Sequence, residues 1–160
     1  MITSSTDPNV IRVPMAGLIF AESPAVLETL LGSCVGIAMW DERSGYGGLA
    51  HAMLAHSPGT ATSPGKFVDT AILEMKGQLV ARGASPYSMR AKLAGGAIMF
   101  GNSKETVGTK NFEAARHHLE EHRIRILGAH VGGNQGRIIR FSLKDRSLQV
   151  VVARKVVAVI

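Results

Sequence analysis

The chain has 160 residues, of which 46% are hydrophobic and 19% charged, a balance typical of a single globular domain. This composition excludes a disordered chain, and the single cysteine excludes an internal disulfide. No run of about 18 apolar residues predicts a membrane span, and no signal-like stretch opens the chain. We therefore expect a cytoplasmic protein with one domain over residues 1–160, in which residues 1–9 form a loose tail.

The net charge of +6 is concentrated in the second half of the chain. Residues 1–80 carry 4 Lys/Arg against 7 Asp/Glu, whereas residues 81–160 carry 14 against 5. A basic half favours an acidic partner, which could be nucleic acid, an anionic membrane face or an acidic protein surface. No helix-turn-helix or RNA-binding motif accompanies the charge, so we expect no nucleic-acid binding and no membrane insertion.

Hydrophobic periodicity predicts an α+β fold with more strand than helix. Short apolar runs lie at 11–15, 18–21 and 26–31, and strands are predicted over 35–40, 46–54, 91–100, 124–129, 138–143 and 148–160. Apolar residues at helical spacing predict helices over 66–82 and 110–123. Residues 57–65 are predicted to be a flexible surface loop, and residues 132–134 a loop with positive φ.

One cysteine and one histidine stand out as a candidate nucleophile and base. Cys34 follows the Gly32 corner and precedes an apolar strand, and His51 lies within the next apolar strand. An imidazole within hydrogen-bonding distance of a thiol can take its proton, which makes the sulfur able to attack a carbonyl carbon. The alternative is that Cys34 is a small buried hydrophobic residue and His51 a hydrogen-bonded core residue.

Further residues complete this candidate site. Thr29 is the nearest upstream hydroxyl that could fix the imidazole tautomer, although it is equally suited to being an ordinary β-branched strand residue. Backbone N–H groups around Cys34 could bind a developing oxyanion. The glycine pairs at 95–96 and 132–133 could keep a substrate groove shallow, or could be strand bends. The residues assigned to substrate or oxyanion binding are Gly32, Ser33, Val35, Gly95, Gly96, Gly133 and Asn134.

The remaining histidines are weak candidates for a metal site. His118 and His122 are four residues apart on the second predicted helix, with His117 adjacent, as a two-histidine zinc face requires. No cysteine or suitably spaced carboxylate completes the ligand set, so we expect no metal.

Several motifs, taken together, resemble the CheD family of bacterial chemotaxis. The resemblance rests first on residues 29–36 (TLLGSCVG) and 48–54 (GLAHAML), and it covers the chain from about residue 10 to 157. It also includes residues 64–70, 92–100, 107–113 and 132–137.

The resemblance implies two mixed β-sheets packed face to face with flanking helices, a fold shared with cytotoxic necrotizing factor toxins. It implies that Cys34 is the nucleophile, His51 the general base and acid, and Thr29 the hydroxyl that orients the imidazole, with no cofactor. Two positions depart from the family pattern: Lys110 stands where an arginine is usual, and His130 where an acidic residue is expected. These departures bear on substrate or partner preference.

The implied function is deamidation of chemoreceptor glutamines to glutamate through a cysteine thioester, with receptor methylesterase activity as a related capability. The substrates would be the cytoplasmic helices of methyl-accepting chemotaxis receptors. An alternative is a non-catalytic regulatory role, in which the chain binds and stimulates the phosphatase CheC. We expect a monomer, because no heptad pattern or long amphipathic surface offers an interface.

Overall fold

A computed structural model describes residues 7–59, 63–99 and 106–160. Within these residues the chain forms ten strands and two α-helices, which confirms the predicted α+β class. The first five strands are β1 (Val10–Arg12), β2 (Leu18–Ala21), β3 (Val26–Leu31), β4 (Val35–Asp41) and β5 (Gly47–Ala52). The remaining elements are α1 (Val68–Ala81), β6 (Met89–Gly95), α2 (Val107–Glu121), β7 (Arg125–Val131), β8 (Arg137–Ser142), β9 (Leu148–Val152) and β10 (Lys155–Val159).

The strands form two five-stranded mixed sheets that pack face to face. Sheet 1 has the order β1-β3-β8-β9-β10, and sheet 2 the order β2-β5-β4-β6-β7. Each sheet contains one parallel pair, β1 with β3 in sheet 1 and β6 with β7 in sheet 2. Both parallel pairs connect strands that are distant in the chain or separated by a helix, as parallel pairing requires.

Two apolar layers hold the fold together. One lies between the sheets, where Trp40 of β4 packs against Phe141 of β8 with ring centroids 5.6 Å apart. The other lies between sheet 2 and the helices, and includes Ile72 and Met75 of α1 and Leu119 of α2. Because β4 lies in the middle of sheet 2 with a layer on each face, all seven of its residues are buried.

Local sequence explains where the helices begin and end. Helix α2 starts after Thr106, whose side-chain oxygen accepts from the N–H of Thr109 at 3.2 Å. Helix α1 is followed by Gly83 at φ +91°, a conformation that glycine adopts without strain. Of the described helices, neither is long and apolar enough to cross a membrane.

Several predicted boundaries are wrong. The single strand predicted over 148–160 is two antiparallel strands, β9 and β10, because Ala153 and Arg154 turn the chain with φ of +48° and +66°. Helix α1 begins at Val68 rather than 66, since residues 64–66 form a separate 3₁₀ turn, and α2 begins at Val107 rather than 110. The predicted strands at 46–54 and 91–100 end at Ala52 and Gly95. Residues 1–6 of the predicted tail, 60–62 of the predicted loop and position 100 lie outside the described residues.

Candidate active site

The strand register places the candidate nucleophile and base close together. Strands β4 and β5 are antiparallel, and Gly36 lies directly opposite His51. Cys34 lies two residues before Gly36, in the bend that precedes β4, and it packs against the apolar layer between the sheets. Because alternate residues of a strand face the same side, this register brings Cys34 and His51 to the side of sheet 2 that faces sheet 1.

A hydrogen bond between the two sheets orients the His51 ring. Thr29 lies on β3 of sheet 1, and its Oγ1 is 2.7 Å from Nδ1 of His51. Both residues are buried, with 5% and 3% of their surface exposed. Gly36 lies at this contact between the sheets, and a β-carbon there would lie 2.6 Å from Cδ1 of Ile139 on β8, so that side chain would have to move. The site therefore depends on contact between two sheets, not on one strand pair alone.

The hydroxyl hydrogen of Thr29 determines the tautomer of His51. Oγ1 donates to the carbonyl oxygen of Val13 at 2.9 Å, and a hydroxyl has only one hydrogen to donate. When the His51 ring is neutral, Oγ1 must therefore be the acceptor, and Nδ1 carries the ring proton. The other nitrogen, Nε2, then has a free lone pair. Within the part of the chain that the structure describes, Nε2 is buried and has no hydrogen-bond partner. The ring is thus arranged as a base with its acceptor nitrogen unoccupied.

Both members of the candidate pair favour their uncharged forms. Burial raises the pKa of the Cys34 thiol, and its own backbone N–H opposes part of that shift. Burial also lowers the pKa of His51. Near neutral pH the pair is therefore a thiol and an imidazole, not a thiolate and an imidazolium. The expected hydrogen bond from the thiol to Nε2 is not formed among the described residues; such contacts are often loose before substrate binds.

The glycine pair at 95–96 packs against the bend that carries Cys34. Gly95 has φ +105°, and a β-carbon there would collide with the carbonyl oxygen of Cys34. The N–H of Gly96 donates to that same oxygen at 2.9 Å, and the N–H of Ala97 donates to the carbonyl oxygen of Gly32 at 3.0 Å. The pair thus provides the close backbone approach that fixes the bend.

Two backbone N–H groups of the bend that carries the thiol have no acceptor in another described residue. Those of Ser33 and Cys34 donate to no other residue's oxygen within residues 7–59, 63–99 and 106–160. The Cys34 N–H lies against its own sulfur. If the sulfur attacks a carbonyl carbon, the oxyanion forms on the oxygen of that carbon, close to this N–H. Val35 is fully buried in β4, between β5 and β6, and its side chain belongs to the layer under the helices.

The loop at 132–134 is organised by a buried arginine that the sequence analysis did not identify. Gly132 and Gly133 have φ of +82° and +71°, which confirms the predicted positive φ. Arg137 is 4% exposed and donates to the carbonyl oxygens of His130, at 2.8 Å, and of Gly132. It also donates to Nδ1 of His130 at 2.9 Å, so His130 serves as a neutral acceptor at the position where an acidic residue was expected. Asn134 is exposed at the tip of this loop.

Asn111 is a second buried polar residue that the sequence analysis did not assign to the site. It lies on α2, is 1% exposed, and its Nδ2 donates to the carbonyl oxygens of Ser33 and Met53, each at 3.0 Å. These carbonyls belong to the residue before Cys34 and to the second residue after His51. A polar residue on the inward face of an otherwise apolar helix pattern is the signal that could have identified it.

The other histidines make contacts that do not assemble a metal site. Lys76 Nζ lies 3.2 Å from Nδ1 of His122, and Nδ1 of His118 lies 3.6 Å from Glu121. Within the described ranges, no three His, Cys, Asp or Glu side chains are arranged to hold a metal ion.

Comparison with known proteins finds relatives over most of the chain. The family model named CheD, described as CheD chemotactic sensory transduction, matches residues 53–152. A probable chemoreceptor glutamine deamidase CheD of Methanococcus maripaludis is 44% identical over 144 residues, which is 88% of this chain and 94% of that protein. The chemoreceptor glutamine deamidase CheD of Thermotoga maritima is 38% identical over 130 residues, 81% of this chain and 83% of that protein. A probable chemoreceptor glutamine deamidase CheD of Oceanobacillus iheyensis is 37% identical over 155 residues, 92% of this chain and 93% of that protein.

Proposed function

Because the chain belongs to the CheD family, we propose that it is a glutamine deamidase that hydrolyses side-chain carboxamides of chemoreceptors to glutamate. Relatives that align over most of the chain are named for this activity, which favours it over a purely regulatory role. The structural observation that carries the proposal is the hydrogen bond from His51 to Thr29, which leaves Nε2 unoccupied on the side of the sheet where Cys34 lies.

The proposed reaction is an acyl transfer through a thioester. Nε2 of His51 takes the thiol proton as Sγ of Cys34 attacks the carboxamide carbon, and the carbon–nitrogen bond breaks as the imidazolium gives its proton to the leaving ammonia. Water, deprotonated by the same nitrogen, then hydrolyses the thioester and releases a glutamate side chain. A glutamate methyl ester has the same acyl centre and a better leaving group, so we expect methylesterase activity as well.

The backbone of the bend supplies the oxyanion donors in this mechanism. The N–H of Cys34 lies against its own sulfur, the N–H of Ser33 belongs to the preceding residue of the bend, and neither is used by other residues that the structure describes. Their hydrogens become hydrogen-bond donors to the carboxamide oxygen when it gains negative charge. The Gly95–Gly96 contact keeps this bend rigid, so the donors do not have to be reoriented during the reaction.

The uncharged resting pair fits a general-base mechanism. A stable thiolate is not favoured, because burial raises the pKa of Cys34 and lowers that of His51. Deprotonation therefore accompanies attack on the substrate, and the sulfur is protected from oxidation and alkylation between turnovers.

The charge of +6 would draw the chain towards acidic receptor helices, an attraction that salt weakens.

Mass spectrometry of a chemoreceptor cytoplasmic fragment tests the proposal. Incubation with the wild-type chain is expected to convert specific glutamines to glutamates, each with a gain of about 1 Da, and Cys34→Ala is expected to abolish the conversion. His56→Ala, which changes an exposed histidine outside the candidate site, is the matched control and should retain wild-type activity. Equal conversion by wild type and Cys34→Ala would refute the assignment.

A further inference from the structure

We propose that Asn111 is a positioning residue that sets the distance between Cys34 and His51 by binding the two segments that carry them. This inference rests on the proposed function. Both hydrogens of its Nδ2 are used, one by the carbonyl oxygen of Ser33 and one by that of Met53, each at 3.0 Å. One side chain therefore connects the bend of the nucleophile to the end of the strand of the base.

The two carbonyl groups that Asn111 binds lie beyond the end of the hydrogen-bonded ladder between β4 and β5. Ser33 is in the bend before β4, and Met53 follows the end of β5, so neither takes part in the β4–β5 ladder. The last ladder pair joins Val35 to Ala52. Beyond that pair, Asn111 cross-links the two chain segments, and Cys34 lies next to the carbonyl that it binds.

Helix α2 is itself packed against Gly96 and Ala97, the two residues that hold the bend. Gly108, one turn before Asn111, packs so closely that a β-carbon there would collide with the carbonyl oxygens of Gly96 and Ala97. The N–H groups of Gly96 and Ala97 in turn hold the bend through Cys34 and Gly32. The Asn111 amide thus projects from a helix whose position relative to the bend is already defined, which is what a positioning residue needs.

Asparagine has the required chemistry at this buried position. Its planar amide offers two hydrogens about 120° apart, which suits two carbonyl acceptors. Aspartate has the same shape but would place a carboxylate against both carbonyl oxygens, and leucine would leave both without this donor. Either change is expected to leave the fold in place while releasing the bend from β5.

The test compares Asn111→Leu and Asn111→Asp with Leu119→Val, a matched variant that loosens α2 at a fully buried residue away from the bend. In receptor deamidation we expect kcat of the Asn111 variants to fall on the order of 100-fold, because small misplacements of reacting groups are costly, with KM changed less than about threefold. Leu119→Val is expected to keep the wild-type kcat even where its melting temperature falls by a similar amount. An Asn111 variant that retains the wild-type kcat would overturn the proposal.

Alkylation of Cys34 by iodoacetamide gives a readout that needs no receptor. Release of the bend should expose the thiol, so the apparent thiol pKa in the rate–pH profile should move down towards its ordinary value of about 8.5 in both Asn111 variants and not in Leu119→Val. If the profiles of all variants equal that of wild type, Asn111 does not position the bend. If wild type fails to deamidate receptor while the profiles shift as expected, only the proposed function fails.

Discussion

Neighbouring residues of β3 carry two polar clusters that differ in charge and in what they leave unpaired. Thr29 faces sheet 2 and hydrogen-bonds to uncharged His51. Glu28 faces the opposite way, where its carboxylate accepts from Nε of Arg140 at 2.6 Å and lies 3.9 Å from Nε of Arg12. We refer to Thr29, Cys34 and His51 as the inner cluster, and to Arg12, Glu28 and Arg140 as the outer cluster.

The two clusters differ in whether their polar groups are paired, and this difference suits a stabilising role for the outer cluster and a catalytic role for the inner cluster. In the outer cluster the carboxylate is opposed by positive charge, and the register places Glu28 directly opposite both Arg12 and Arg140. The inner cluster has no stabilised charge, yet it keeps Nε2 of His51 buried and without a partner among the described residues. An unpaired buried polar atom costs about 1–3 kcal/mol, and in the inner cluster that atom is the ring nitrogen that the proposed reaction needs as its base.

The largest expected effect is the loss of activity when the inner cluster loses its base. His51→Gln removes the nitrogen that accepts the thiol proton, and receptor deamidation should fall about 10³-fold, within the range of general acid–base contributions. The outer-cluster variant Arg140→Gln should change the rate less than about threefold. Similar losses in the two variants, measured by mass spectrometry of the receptor fragment, would remove the distinction between the clusters.

A smaller loss is expected when the inner cluster keeps its base but loses its orienting hydroxyl. Thr29→Val preserves the shape and β-branching of the side chain but leaves Nδ1–H of His51 without its acceptor, so the ring can rotate or change tautomer. We expect kcat to fall about 10- to 100-fold with little change in KM. Thr29→Ser, which retains the hydroxyl, should keep most of the wild-type kcat, and an equal loss in both variants would contradict the role assigned to the hydroxyl.

The outer cluster is expected to affect stability and not catalysis. Glu28→Gln leaves two arginines without their counter-charge at a carboxylate that is 10% exposed, and the free energy of unfolding should fall by about 1–2 kcal/mol. Denaturant titration measures this change, and the deamidation rate at a temperature below the transition should stay within about twofold of wild type. A loss of activity without loss of stability would place Glu28 in the catalytic machinery.

The smallest expected effect is a dependence of stability on pH that comes from the inner cluster. Burial lowers the pKa of folded His51 below that of the unfolded chain, so the unfolded state binds a proton more readily. The free energy of unfolding should be level between about pH 6.5 and 8 and should fall as the pH decreases below that window; above it, the raised pKa of Cys34 makes stability fall again. His51→Gln should reduce this fall, whereas Glu28→Gln should not. His130 contributes in the same direction, so the fall should not vanish.

Local sequence patterns were sufficient for most of the fold. The buried run of β4, the helical spacing in α1 and the glycines at 132–133 report directly on backbone conformation, because each pattern is confined to a few neighbouring residues. The turn at Ala153–Arg154 could not be predicted in this way, since alanine and arginine rarely adopt positive φ. Only the pairing of β9 with β10 explains it.

The candidate site was predictable in its residue types but not in its supporting contacts. Cys34 and His51 follow from motif and strand order, whereas the contact of Thr29 with His51 depends on how two sheets stack around Gly36. Asn111 and Ser33, which are joined by a hydrogen bond, are 78 residues apart in the sequence, and no periodic pattern predicts such a distant contact. The glycine pair at 95–96 was identified, but its close contact with the carbonyl of Cys34 became evident only from the packing.

The most direct test of the catalytic account is to locate the covalent intermediate. A receptor fragment mixed with the wild-type chain and quenched in acid within one turnover should form an adduct that is sensitive to hydroxylamine, as thioesters are. Peptide mapping by mass spectrometry should place the adduct on the peptide that contains Cys34. An adduct that maps to any other residue, or that also forms with Cys34→Ala, would contradict the account.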